Sequence, residues 1–125
     1  MISVLVVDDH PAIRRLIRQI LNQSKSIRVV AEASGGEEAL ALVTELEPDV
    51  MTLDLMMDDM NGIEVLARLK EFTNRPKVIV ISLYSAPHLI NRAMGDGAAA
   101  YISKRELSPG KLIELVESLA EDEST

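Results

Sequence analysis

The sequence predicts an α/β domain in which five parallel strands form one doubly wound sheet, each strand followed by a helix. Two features of the 125-residue chain carry this expectation. Short apolar runs alternate five times with segments whose apolar residues recur at helical spacing. Three of the runs, "VLVV", "VMTL" and "VIVI", lack the polar–apolar alternation of a half-exposed strand, as expected of strands buried on both faces. Strand–helix–strand crossovers are nearly always right-handed, so the helices fall on both faces of a parallel sheet.

Residues 2–8 form the first strand, and 11–22 the first helix, with apolar residues at 13, 16, 17, 20 and 21 on one stripe. Residues 27–31 read as a strand, then 36–46 as a helix with Ala39, Leu40, Leu42, Val43 and Leu46 facing inward. A strand over 50–54 precedes a helix over 63–71 with apolar positions 63, 65, 66 and 69. Residues 78–82 are a wholly apolar strand ending in serine, and 87–94 a weaker helical segment. A fifth strand over 98–103 leads to a helix over 109–120, where Pro109 suits a first helical turn. The expected domain is 1–120, followed by an acidic, frayed tail at 121–125.

Hydrophobic residues make up 47% of the chain and charged residues 26%, the balance of a globular protein. No apolar run approaches the ~20 residues of a membrane span, and no basic region precedes the first apolar run, so a cytoplasmic protein is expected. With no cysteine, disulfides and thiolate metal sites are excluded. Thirteen basic against twenty acidic residues give a net charge of −7, and no basic cluster exceeds pairs such as Arg14-Arg15 and Lys104-Arg105. Direct nucleic-acid binding is therefore not expected. Partners with basic surfaces, or phosphoryl donors, suit the charge better.

In an open parallel sheet, sites form beyond the carboxyl ends of the strands. Asp8 and Asp9 follow the first strand, Asp54 the third, Ser82 the fourth, and Ser103-Lys104 the fifth. Three converging carboxylates repel one another unless a cation neutralises them. Oxygen-only ligands point to Mg²⁺. A carboxylate beside Mg²⁺, an ammonium and a hydroxyl is placed to attack phosphorus. A calcium loop fails in "TLDLMMDDMNG", because Met57 and Arg68 would fall at its first and bidentate ligand positions. Asp58, Asp59 and Asn61 read as turn formers and caps for the next helix. His10 and His88 read as structural or solvent-facing, and Met56, Met57 and Met60 as packing and rim contacts.

"VLVVDDHPAIRRLI", "VMTLDLMMDDMNGIEVL", "VIVIS" and "GAAAYISK" together resemble the response-regulator receiver domain of two-component signalling. The resemblance implies the flavodoxin-like strand order 2-1-3-4-5. It also implies Asp54 as phospho-acceptor, and Asp8, Asp9, Asp54 and the Met56 main-chain carbonyl as Mg²⁺ ligands. Ser82 and Lys104 would bind phosphate, with Tyr101 as aromatic switch and Met56 and Tyr84 tuning dephosphorylation. A histidine kinase or phosphotransfer protein would supply the phosphoryl group. The switched face, residues 87–120, would then meet a target or a second copy. Such a domain promotes its own phosphorylation and slow dephosphorylation, and is not otherwise an enzyme.

Two departures stand out. Many receivers have proline four residues after the acceptor and another after the lysine, where this chain has Asp58 and Arg105. A cis peptide before a non-proline costs ~3 kcal/mol, so a trans Lys104–Arg105 bond is expected. The missing second proline, with "DDHP" and "GAAAYISK", resembles NarL/FixJ receivers that precede a LuxR-type helix-turn-helix, implying transcription regulation in context, the chain being either a stand-alone receiver or the receiver portion of a longer regulator. Two other readings are a phosphorylation-independent interaction module, disfavoured by the intact acidic pair, Asp54, Ser82 and Lys104, and a flavodoxin-like FMN carrier. In the latter the Asp-Asp-His-Pro loop would repel a phosphate lacking a metal.

Overall fold

The computed structural model describes residues 1–83 and 86–123. Its elements are β1 (Ile2–Val7), α1 (Pro11–Leu21), β2 (Ile27–Ala33), α2 (Gly36–Leu46), β3 (Val50–Leu53), α3 (Gly62–Leu69), β4 (Lys77–Ser82), α4 (Pro87–Gly95), β5 (Ala100–Ser103) and α5 (Pro109–Glu123). The strands are parallel, in the flavodoxin-like order β2-β1-β3-β4-β5. The expected doubly wound sheet is the observed one.

Because successive side chains point to opposite faces, each strand feeds two cores. Leu5, Val7, Met51, Leu53, Val78 and Val80 pack with α2 and α3. Val4, Val6, Val50, Ile79, Ile81 and Ile102 pack on the other face with α1 and α5. Each such side chain taken fully from water contributes about 1.5–3 kcal/mol. Polar residues interrupt this layer only near the carboxyl edge, where Thr52, Asp54, Ser82 and Asp8 are buried.

Differences from the expected boundaries have local causes. β2 continues through Glu32 to Ala33 because Glu32 accepts ion pairs from Arg14 and Arg18 of α1, at 3.4 and 2.6 Å. β5 begins only at Ala100; the amides of Ala98 and Ala99 donate to Ala93 and Val78 carbonyls in the approach to it. α5 extends through Glu123, past the end of its apolar periodicity. Leu16 and Leu46, expected on buried stripes, are 45% and 40% exposed at the flanks of their helices. A one-turn 3-10 helix, Lys104–Glu106, was not expected; Ser103 Oγ starts it by accepting from the Arg105 N–H at 3.2 Å. The Lys104–Arg105 peptide is trans, as expected.

The turn into α3 is tight for steric reasons. The Gly62 N–H donates to the Leu55 carbonyl at 2.8 Å. A Cβ at Gly62 would lie 2.8 Å from both the Asp54 carbonyl oxygen and the Leu55 Cα, backbone atoms that cannot step aside. At Gly95 an added Cβ meets nothing within 4 Å. Gly62→Ala is therefore expected to destabilise the fold by about 1–3 kcal/mol in urea unfolding, and Gly95→Ala to be neutral or slightly stabilising. Equal effects would contradict the steric account.

Candidate functional site

Strand pairing fixes the site from the backbone up. The Asp8 N–H donates to Ala33 and the Asp54 N–H to Val7, each at 3.1 Å, so both residues extend the ladder one step beyond their strands. Their carboxylates meet under the carboxyl edge and are almost wholly buried, at 1% and 3% exposure. Lys104, just after β5, places its Nζ 2.9 Å from Asp8 Oδ2 and 3.3 Å from Asp54 Oδ2. One ammonium thus bridges two buried carboxylates.

The remaining oxygens are held from the chain itself. The Met56 N–H donates to Asp54 Oδ1 at 3.3 Å and the His10 N–H to Asp8 Oδ1 at 2.9 Å. Arg14 donates to the Asp8 carbonyl at 2.6 Å. Asp9 Oδ1 is buried and accepts no hydrogen bond among the described residues, although His10 Nδ1 lies 3.0 Å away. Single ligand atoms of Asp8, Asp9, His10 and Asp54 all fall within 4.8 Å of one another. Opposite ligands on an octahedral ion with bonds of ~2.1 Å are separated by ~4.2 Å, so the cluster is close to the span of one small cation.

Electrostatics agree with that geometry. Burial, and then the neighbouring Asp8 charge, raise the Asp54 pKa above its ordinary value, and Lys104 only partly offsets them. Burial alone would lower the Lys104 pKa, but its hydrogen bond to Asp8 and the charges of Asp54 and Asp8 outweigh this and raise it. Three carboxylates against one ammonium leave two negative charges uncompensated. An oxygen-rich site with a buried acceptor lacking a donor fits a divalent cation such as Mg²⁺.

Ser82, fully buried at the end of β4, stands opposite Ser103 in the β4–β5 register. Tyr101, opposite Val80, packs against the α2–α3 core, and its buried hydroxyl has no hydrogen-bond partner among the described residues. The Met56 side chain is 51% exposed at the rim. Tyr84 lies outside the described residues. Asn61 caps α3 as expected, accepting from the Glu64 N–H at 2.9 Å, while Asp58 is exposed. Asp59 does not cap the next helix; it turns back to the preceding one, α2. His10, read from sequence as outside the cluster, keeps a 63% exposed side chain but points Nδ1 at the acidic pair. Its place directly after the pair was the available signal.

The response regulator receiver domain model matches residues 4–117. The chain belongs to this family. It is 34% identical over 121 residues to the nitrate/nitrite response regulator protein NarL of Escherichia coli K12, covering 97% of this chain and 56% of that protein. The receiver domain of the putative response regulator NarL from Mycobacterium tuberculosis superposes with a TM-score of 0.91 at 32% identity, covering 96% of each chain. A CheX–CheY–BeF3–Mg²⁺ complex from Borrelia burgdorferi matches with a TM-score of 0.86 at 30% identity, over 94% of this chain and 88% of that one. This receiver is thus NarL-like, and it spans about half the length of the curated relatives it matches.

The raised Asp54 pKa has a signed consequence. The native state holds that proton more tightly than the unfolded chain, so stability is lost as pH rises from 3.8 through the folded-state value. Asp54→Asn removes the charged form. It is expected to raise the urea midpoint near neutral pH, with the gain shrinking as pH falls toward 3.8. A midpoint lowered at neutral pH would show that the Lys104 contact outweighs burial and Asp8.

Proposed function

We propose that this receiver accepts a phosphoryl group on Asp54 from a histidine kinase, a phosphotransfer protein or a small donor such as acetyl phosphate. The observation that carries the reading is the single ammonium of Lys104 shared between the buried Asp54 and Asp8 carboxylates. An arrangement with so much unneutralised charge suits a site built to receive further groups. Asp8, Asp9, Asp54 and the Met56 main-chain carbonyl would hold Mg²⁺, which when bound supplies charge to offset the phosphoryl oxygens. The BeF3 and Mg²⁺ in the Borrelia burgdorferi complex support this by likeness.

An Asp54 carboxylate oxygen bonds to phosphorus as the donor's bond to phosphorus breaks, and the leaving group keeps the electron pair. Lys104 then pairs with the new dianionic group, and the Ser82 hydroxyl donates to one of its oxygens. Tyr101, whose hydroxyl is buried without a partner among the described residues, turns toward the space released at Ser82. The face made by α4, β5 and α5 is thereby reshaped for a target or a second copy, a local charge event that biases a two-state element. Were the receiver joined to an output domain, that face would control transcription through it; as a stand-alone receiver it would act on a separate target. Neither Met56 nor Tyr84 is a ready general base for water, so the phosphoaspartate is expected to be long-lived.

Incubating the protein with acetyl phosphate and Mg²⁺ and measuring intact mass tests the reading. The expected result is one added phosphoryl group, dependent on Mg²⁺ and absent in Asp54→Asn. A protein that neither gains mass nor binds beryllofluoride would instead be a phosphorylation-independent interaction module. Decay of the modified species over minutes or longer is expected; a half-life of seconds, unchanged in Met56→Asn, would contradict the assignment of Met56.

A further inference from the structure

The segment between β3 and α3, residues 54–61, carries Asp54 and Met56; Leu55, Met57 and Met60 anchor it in the core, while Met56, Asp58 and Asp59 are exposed. The Asp54 N–H joins the β1 ladder, and Asn61 and Gly62 begin α3. Between them, Asp59 makes a contact that the sequence does not announce. Its Oδ1 accepts from the Gly36 N–H at 3.0 Å and its Oδ2 from the Glu37 N–H at 3.2 Å.

Those amides open α2, whose N-cap residue is Gly35 and which therefore has no side-chain cap of its own. First-turn amides need an acceptor, and a carboxylate there also meets the positive end of the helix dipole. Asp59 supplies both functions from 22 and 23 residues away in sequence. The same hydrogen bonds hold its carboxyl below the ordinary aspartate range, so it is ionised under ordinary conditions.

Packing around the contact is equally close. A Cβ at Gly35 would lie 2.7 Å from Asp59 Oδ1, and one at Gly36 would lie 2.8 Å from Met60 Cβ. The two glycines thus form a notch that admits Asp59 and Met60 together. Met60 is buried in the α2–α3 core, whereas Asp58 and Asp59 are exposed. The loop is therefore held by the buried Leu55, Met57 and Met60 side chains, and on its exposed side by one charged pair of hydrogen bonds from Asp59.

We propose that Asp59 is a positioning residue for the acceptor loop: by bonding the loop to the start of α2 it fixes the backbone at Met56. This rests on the receiver reading of the site, in which the Met56 carbonyl helps hold Mg²⁺. A residue that orients a metal ligand from outside the coordination sphere commonly affects affinity by about tenfold or more. Acting through the two intervening residues Met57 and Asp58, Asp59 is expected to have an effect of several-fold.

Amide hydrogen exchange and Mg²⁺ calorimetry on wild type, Asp59→Ala and Asp59→Asn test the inference. In Asp59→Ala, exchange at Met56 and Gly62 is expected to accelerate by about tenfold beyond any change at Val6 in β1, which reports global opening. The Mg²⁺ dissociation constant is expected to rise several-fold in the same variant. Asp59→Asn keeps an acceptor oxygen and should recover most of both effects. Unchanged exchange at Met56 and Gly62 would overturn the tether. Faster exchange with unaltered Mg²⁺ affinity would overturn the positioning role. A wild type that binds no Mg²⁺ overturns the receiver reading and with it the positioning of a metal ligand, while the exchange comparison still decides whether Asp59 holds the loop.

Discussion

The carboxyl edge of this sheet is organised around one ammonium. Lys104 Nζ lies within 3.3 Å of both Asp8 and Asp54, two carboxylates that are otherwise sealed from water. Like charges ~4 Å apart at an effective dielectric of ~20 repel by roughly 4 kcal/mol, a sizeable part of a domain's total stability of about 5–15 kcal/mol. The fold tolerates the pair because Lys104 is brought between them by β5, at the edge of a sheet whose strands are fixed by two dense apolar cores.

Lys104 solves only part of the problem. With Asp9 alongside, the cluster keeps, among the described residues, an uncompensated negative charge and a buried oxygen without a donor. Such a site is held off its electrostatic minimum by the surrounding packing, and strain of this kind concentrates where a protein does chemistry. On the proposed reading, adding a cation and then an anionic group would rearrange the partners of Lys104. The loops beyond the strand ends have that freedom, which is why the tie between Asp59 and α2 bears on the site.

Much of this was legible in the sequence, for identifiable reasons. Unalternating runs such as "VLVV" and "VIVI" specify strands covered on both faces, and the residues just past them fall where an open parallel sheet forms its site. Position put Asp8, Asp9, Asp54, Ser82 and Lys104 at that edge, and the receiver resemblance singled out Lys104 from an ordinary surface lysine. Partners chosen by tertiary contact could not be named in this way. Asp59 and Asn61 look alike as helix caps, yet one serves α2 and the other α3, because the notch at Gly35 and Gly36 exists only once the loop is folded over it. The extension of β2 depended on Glu32 meeting two arginines of α1, and the 3-10 turn at Lys104 on a local Ser103 bond. Periodicity reports the burial of a face and carries little about such single polar choices.

The central claim is that the acidic cluster is a cation site whose charge the fold leaves unbalanced. Its most direct test is the unfolding free energy of the unphosphorylated protein as a function of Mg²⁺ concentration, at constant ionic strength, in wild type and Asp9→Asn. The account predicts that Mg²⁺ stabilises the wild type with the slope of one bound ion, by about 2.7 kcal/mol at one hundred times the dissociation constant, and that Asp9→Asn loses most of this dependence. A wild-type stability that does not change with Mg²⁺ would contradict it.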